Sequence, residues 1–321
     1  MGLAWTDTGS NFLANPTLSD ELRMVLQTVS RFRQFCDVEA AIGKHRGETF
    51  NWNVYGDTTD DGGVLDENAP LPETGFAISQ GSVTVAEYGN SVPYTGKLET
   101  VSEHDIRKIV FGTLKNDCNR TLDRAAHAQF DATLLRYVAT GAAAYNLDTD
   151  GTPTGNNNSD LSTAHIKQIA DLMQERNIPV FDGEHYFCVA RPTTLRAAKD
   201  DLEAQHMYTA EGWNRVMNGE NGRYEGIRFI SQTNIPANTA AWATNSASDD
   251  AYFFGADTVT EAIACPEELR AKVGEDYGRS KGIAWYYLGA FGITHADATS
   301  AETIAQARII KWDSALSLIH I

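Results

Sequence analysis

Between residues 47 and 96 the chain has no lysine and no arginine, yet eight carboxylates lie in that stretch. A segment with one sign of charge cannot neutralise itself, so its counterions must come from elsewhere. Cysteine is also sparse. Cys36, Cys118, Cys188 and Cys265 stand at least 70 residues apart, so no pair has the spacing of a zinc site. Cys118 and Cys188 sit in apolar segments and read as buried thiols, which fits a reducing compartment. No run approaches the ~20 apolar residues that span a bilayer. The N-terminus carries Trp5 and Asp7 without a basic flank or an apolar core, which excludes a secretory signal. Met1 to Thr6 fits the short myristoylation pattern, and chance accounts for so brief a match. A net charge of −17, with no cluster of Lys and Arg, excludes a tight direct grip on nucleic acid. An acidic wall that encloses DNA without holding it is compatible with that charge.

Catalytic signatures are missing as well. There is no Gly-x-Ser-x-Gly elbow, no His-Glu-x-x-His and no Gly-x-Gly-x-x-Gly. Gly96-Lys97 follows a turn-rich stretch, but Ser91 replaces the first glycine of a phosphate loop and Leu98 replaces its Mg²⁺-binding hydroxyl. Asn146, Asp148, Asp150 and Gly151 match the start of a calcium loop. Its twelfth position is Asn157 rather than a bidentate Glu, so the segment reads as a polar linker. His104 and His127 are too far apart on one helix to share a metal and read as solvated or interface residues. Nothing converges as catalysis requires. The expectation is a non-enzyme with no cofactor and no metal.

What is present is architecture. The composition, 42% apolar and 21% charged, is that of a globular chain with a sizeable core. After an extended arm, Ser19 caps a helix whose Leu22, Val25, Leu26 and Val29 share a face. Arg23, Arg31 and Arg33 are the cations of that region. Phe50, Trp52 and Val54 alternate with polar neighbours, as in a strand, and Ser82 to Tyr88 restores that alternation. Gly56 to Gly75 between them is Asp-, Gly- and Pro-rich, which predicts a hairpin with a long acidic tip. Most hairpin loops are short, so a tip of this size reads as functional.

Ile106, Val110, Leu114, Cys118, Leu122, Ala126, Phe130, Leu134 and Val138 then recur at every fourth position. They predict one helix of about 36 residues, from near Glu103 to near Val138, roughly 54 Å long and stopped by Gly141. Four residues turn a helix by about 400°, so this stripe drifts by about 40° per step and meets different partners along its length. A polar linker near 146–160 leads into alternating helices and strands. These are a helix over Thr163–Arg176, a strand at Tyr186–Ala190, a helix opened by Arg191-Pro192, strands at Gly226–Ile230 and Ala251–Phe254, and a short helix over Ala256–Ala264. Leu269–Tyr277 and Gly282–Ile293 predict an antiparallel ribbon, and Ala307–Trp312 a last strand. The final residues, Leu316 to Ile321, read as the translation of a sequencing-adapter end rather than native chain. The mixture is α+β.

This order of parts, roughly Pro16 to Trp312, resembles the major capsid proteins of tailed phages, the Hong Kong 97-type fold. The resemblance rests on the acidic hairpin before a long helix, on Tyr224 to Pro236 with its glycine, strand and polar turn, and on Phe254-Gly255-Ala256-Asp257. It implies an N-terminal arm and helix (1–46), an extended hairpin or E-loop (47–97) and the spine helix of a peripheral P-domain (98–150). A central axial A-domain (151–265), returning P-domain strands (266–315) and a non-native tail (316–321) would follow. It implies self-assembly into pentamers and hexamers of an icosahedral shell around a phage genome, formed in the host bacterial cytoplasm and found in the virion. Separate scaffolding, portal and decoration proteins would be partners, with no membrane. Neighbouring subunits would help to bury the drifting stripe. Some relatives weld subunits through a Lys in the E-loop; this hairpin has none. Contacts expected at the assembly interface are Phe50, Trp52, Val54, Asp57, Asp60, Asp61, Asp66 and Glu67. Their expected counterparts are Arg23, Arg31, Arg33, Arg107 and Lys108. An encapsulin-like shell and an enzyme with an unrecognised site are the alternatives.

Overall fold

The computed structural model describes residues 31–40, 48–58, 60, 62–65, 67, 70–71, 73–153, 157, 159–206, 222–235, 249–273, 276–295 and 307–313. The expected N-terminal helix with Arg23, and the tail from Leu316, lie outside these residues. In chain order come strands β1 (Asp37–Ala40), β2 (Thr49–Thr58), β3 (Phe76–Thr84) and β4 (Ala86–Thr95). Helices α1 (Gly96–Val101) and α2 (Ile106–Asp131) follow, then β5 (Arg136–Ala139), β6 (Tyr145–Asp148), α3 (Thr163–Glu175), β7 (Tyr186–Ala190) and α4 (Arg196–His206). The rest is strand: β8 (Arg223–Tyr224), β9 (Ile227–Ser231), β10 (Ala251–Phe254), β11 (Val259–Ala271), β12 (Ser280–Ile293) and β13 (Ile309–Trp312).

These strands form three sheets: a four-stranded one in the order β1-β11-β12-β4, a seven-stranded one in the order β6-β5-β13-β10-β7-β9-β8, and the hairpin β2-β3. Helix α2 lies where the two larger sheets meet. The strand period of two explains how one sheet serves two cores. Phe187, Val189, Tyr252, Phe254 and Ile309 point toward α2. Their alternates Tyr186, Cys188, Ala190, Phe253, Ile310 and Trp312 point the other way, onto Ile166, Ile169 and Met173 of α3. A sheet covered on both faces needs near-continuous apolar strands, and β7, β10 and β13 are buried at every position.

The long helix is shorter than its pattern suggested. α2 has 26 residues, about 39 Å. The Asp105 side chain starts it by accepting from the backbone N–H groups of Arg107 (2.9 Å) and Lys108 (3.4 Å). It ends before Thr133, whose hydroxyl donates to the Ile309 carbonyl at 2.7 Å. Val138 lies on β5, between β6 and β13. A spacing of four is also a multiple of two, so Leu134 and Val138 fitted the helical stripe while preparing a turn and a strand. From Ile106 to Phe130 every residue of the stripe is buried, and by this chain's own residues. No neighbour is needed to cover it. The drift matches a succession of internal partners, from Leu98 and Trp285 at one end to Tyr252 and Phe254 at the other.

Other expectations shift. Ala256–Ala264 is not a helix: β11 starts at Val259 and crosses Pro266, which occupies a register irregularity between Cys265 and Glu268. The helix expected from Arg191 begins at Arg196. Part of the expected 146–160 linker is β6, and Asp150 accepts from the Thr152 backbone N–H at 2.8 Å. His127 is buried rather than solvated. The ribbon is confirmed, with Leu269 opposite Trp285, as are α3 and strands β7, β9, β10 and β13. Cys118 and Cys188 are buried free thiols, as expected, and Cys36 is a third.

One buried carboxylate joins three distant parts of the chain. Asp123 of α2 accepts from the Phe32 backbone N–H (2.7 Å) and that of Arg33 (3.3 Å), from Gln232 Nε2 (2.8 Å) and from Asn234 Nδ2 (2.9 Å). Replacing it strands several buried donors, each costing about 1–3 kcal/mol. Asp123→Ala should therefore lower unfolding free energy by about 3 kcal/mol or more, measured by denaturant titration. A loss under about 1 kcal/mol would contradict this.

A second polar chain runs from His127 Nε2 to the Tyr252 hydroxyl (2.9 Å) and from that hydroxyl to Asp131 Oδ1 (2.8 Å). Asp131 also accepts from Lys311 Nζ at 2.6 Å. Burial pushes the His127 pKa below its usual 6.5, although Asp131 pulls the other way. His165, also buried, is lowered by the same cause. Below 6.5 the unfolded chain then binds more protons than the folded one, so stability is lost as pH falls through that value. Each histidine contributes at most about 1.4 kcal/mol per pH unit. His127→Gln should flatten the loss of melting temperature between about pH 6.5 and 5, leaving the share of His165. An unchanged slope would refute the assignment.

Candidate assembly interface

The hairpin is built by alternation. β2 pairs antiparallel with β3, Phe50 opposite Val83, Trp52 opposite Gly81 and Tyr55 opposite Ile78. Phe50, Trp52 and Val54 share one half-buried face, as expected, and that face turns toward the chain's own body. Trp52 is the staple. Its Nε1–H donates to the Thr294 carbonyl at 3.1 Å, just beyond the end of β12. Its ring needs two glycines: a Cβ at Gly81 would collide with the indole, and one at Gly292 would sit 2.9 Å from it. Val85 N–H, bonded to the Glu48 carbonyl at 2.8 Å, closes the root.

The opposite face is polar near the root, where Gln80 Nε2 donates to Asn53 Oδ1 at 3.3 Å, and carries exposed apolar side chains toward the tip. Tyr55, Phe76 and Ile78 are 64%, 60% and 53% exposed, and Val64, Leu65 and Leu71 of the tip are more exposed than Ile78. Sequence reasoning missed this row. The signal was there: Tyr55 follows Val54 directly, which breaks a simple alternation. Among the expected acidic contacts, Asp60 and Glu67 are exposed. Asp61 and Asp66 lie outside the described residues, and only the backbone of Asp57 is described.

The expected cations divide. Arg33 is consumed internally: its guanidinium meets buried Glu261 (Nη2–Oε1 2.8 Å) and Glu267 (Nη1–Oε1 3.1 Å). Desolvation works to lower its pKa, but those two carboxylates more than reverse this and raise it. Arg31 is exposed, as are Arg107 and Lys108 at the start of α2. Arg107 pairs with Glu99 of α1 at 2.5 Å, and Lys281 of β12 meets the other oxygen of that carboxylate at 2.6 Å. The Lys281 bond, with Arg107 adding to it, holds the Glu99 carboxyl below its usual range. Arg107 and Lys281 line a cleft of about 340 Å³ together with Tyr94, Lys272 and Ile283.

A second cleft, of about 320 Å³, lies at the hairpin root between Asp37, Glu39, Trp52, Asp257 and His295. Asp257 accepts from Arg308 at 2.9 Å and meets His295 Nε2 at 2.9 Å. Burial, then the nearby Asp257, raises the pKa of Asp37. Among the described residues, no group of three or more His, Cys, Asp or Glu gathers to hold a metal. No described helix is long and apolar enough to cross a membrane.

The staple itself is testable. Trp52→Ala should speed amide hydrogen exchange at Asn51–Tyr55 by about tenfold or more while leaving α2 protected, because the root then opens locally. Equal exchange in both proteins would show that the ladder holds without the indole.

Comparison with known proteins agrees with this geometry. No curated protein matches the sequence. Solved structures do: the capsid of the cyanophage P-SCSP1u, at 16% identity over 98% of both chains with a TM-score of 0.66; the capsid of Ralstonia phage GP4, at 16% over 98% of both with 0.67; and the cyanophage Pam1 capsid, at 14% over 94% of this chain and 97% of that one with 0.68. At such identity these likenesses establish the fold. The family model described as phage capsid protein matches residues 79–304, well over half of the sequence. With the uncovered hairpin and the capsid fold in view, the chain belongs to the phage capsid protein family, as a major capsid protein of a phage head shell.

Proposed function

We propose that this chain builds an icosahedral head of the Hong Kong 97 type, as pentamers and hexamers around the genome of a tailed phage. In this reading the hairpin β2-β3 is the E-loop and α2 the spine helix. The four-stranded sheet belongs to the peripheral domain, and the seven-stranded sheet with α3 and α4 to the axial domain. One observation carries the reading: toward the tip, the outer face of the hairpin presents Tyr55, Phe76 and Ile78, an exposed apolar row across both strands that no described residue covers. Monomers rarely leave such a patch without a partner.

The interface then has two chemistries. Tyr55, Phe76 and Ile78, with Leu65 and Leu71, supply apolar area on the exposed side, while Phe50, Trp52 and Val54 hold the hairpin at the angle that presents it. Asp57, Asp60, Asp61, Asp66 and Glu67 supply charge, which Arg107, Lys108, Arg23 or Arg31 of another subunit would meet. Exposed pairs contribute only ~0–1 kcal/mol each, but a shell repeats them at every contact, and salt screens them. Specific interfaces bury on the order of 800 Å² per partner, so the apolar row supplies the larger share.

Removing residues 57–73 should leave the body folded, because no described residue of that segment belongs to either core. The shortened chain should melt within a few degrees of the full one (on the order of 3 °C) and form no closed particles by negative stain and sedimentation. Normal shells from the shortened chain would sink the reading of the hairpin as an intersubunit arm.

A further inference from the structure

The chain enters its described part on α2. The backbone N–H groups of Phe32 and Arg33 bond Asp123, and the Arg33 side chain reaches over to Glu261 and Glu267 of β11. The entering chain therefore crosses the groove between α2 and β11. Toward the start of α2 that groove is open. Phe111, Lys115, Asn119 and Asp123 stand four apart and form one row beside the buried stripe. The first three are exposed, and the row becomes buried at Asp123, where the chain crosses it. Phe111 is 48% exposed. Half-buried Gly112 stands next to it. Glycine inside a helix costs about 1 kcal/mol and leaves room for another backbone to come close. Leu269 of β11 is 41% exposed. It stands opposite Trp285, which packs against α2 and donates to Asp117 at 3.0 Å, so Leu269 looks out on the side of the sheet that carries α2.

We infer that this groove is the seat of the chain's own residues 19–30, packed as a helix that runs from the level of Phe111 to that of Asp123. Those residues lie outside the described ones and lead directly to the anchored Phe32. Length is the first support. A helix of twelve residues spans about 18 Å, and so do the twelve steps of α2 from Phe111 to Asp123. Patterning is the second. Leu22, Val25, Leu26 and Val29 share an apolar face that needs cover, and the groove offers Phe111 and Leu269. Charge is the third. α2 commits Asp117 to Asn90 and Trp285, and Asp131 to Tyr252 and Lys311. Its Lys115 stays exposed and meets no carboxylate among the described residues. Counted back from the anchor, Asp20 and Glu21 fall within about one turn of Lys115. The helix is thus a strap along α2, fastened at one end by Asp123.

Hydrogen exchange on the full chain tests this. An isolated helix of twelve residues is marginal in water, so protection of its amides requires a packed face. Amides from Leu22 to Val29 should exchange about tenfold slower or more in the unaltered chain than in a variant carrying Phe111→Asp and Leu269→Asp, with α2 protected in both. Both replaced side chains are exposed, so the body stays folded. Unprotected amides over 22–29 in the unaltered chain, or equal protection in the variant, overturn the inference. A cysteine pair, Leu22→Cys with Phe111→Cys, shows whose segment fills the groove. Oxidised glutathione should join the two within one chain, leaving a species of single-subunit mass on a denaturing gel. A cross-link between chains gives the groove to a second copy and overturns the assignment, as does a chain that forms no cross-link.

Discussion

Asp123 of α2 brings a carboxylate to a place that is 1% exposed and surrounds it with donors from two other parts of the chain. A buried carboxylate without such donors would be very costly, so the contact enforces a joint arrangement of all three. The backbone at Phe32 and Arg33 must pass over α2 at this level. The exit of β9, at Gln232 and Asn234, must return to the same helix. Once that is fixed, Arg33 lies beside Glu261 of β11, and Phe32 lies on His127, Phe130 and Tyr252. The helix thereby organises both sheets instead of merely filling the space between them.

Much of this was legible in the residues, for a physical reason. Signals that depend on local period survived: alternation at Phe50, Trp52 and Val54 gave the hairpin, and the apolar runs at Tyr186 and Ala251 gave buried strands. Signals shared by two periods did not. Leu134 and Val138 satisfied a helical stripe and a strand equally, and only the pairing of β5 with β13 decided between them. Ala256 to Ala264 read as a short helix, yet β11 starts at Val259 and runs on through Pro266, a proline tolerated where the ladder slips.

The interface residues show a further limit. Sequence marks Arg33 as a cation in an acidic chain and gives no sign that Glu261 and Glu267, more than 220 residues away, would claim it. Nor does it show which side of a hairpin faces home. That orientation comes from Trp52, whose partners Gly292 and Thr294 lie some 240 residues downstream. Local pattern tells which residues share a face; a distant contact tells which way the face looks.

The hairpin is also a mechanical connection. β3 gives way to β4 with only Val85 between them, and β4 lies along β12 in register from Ala86 to Thr95. A pull on the tip therefore runs down β3 into β4, along the strand axis. Antiparallel ladder bonds stand perpendicular to that axis. The load shears them together rather than peeling them apart one at a time. A subunit strained outward by its neighbours would resist as a block, with the tension delivered to the same β12 strand that packs on the organising helix.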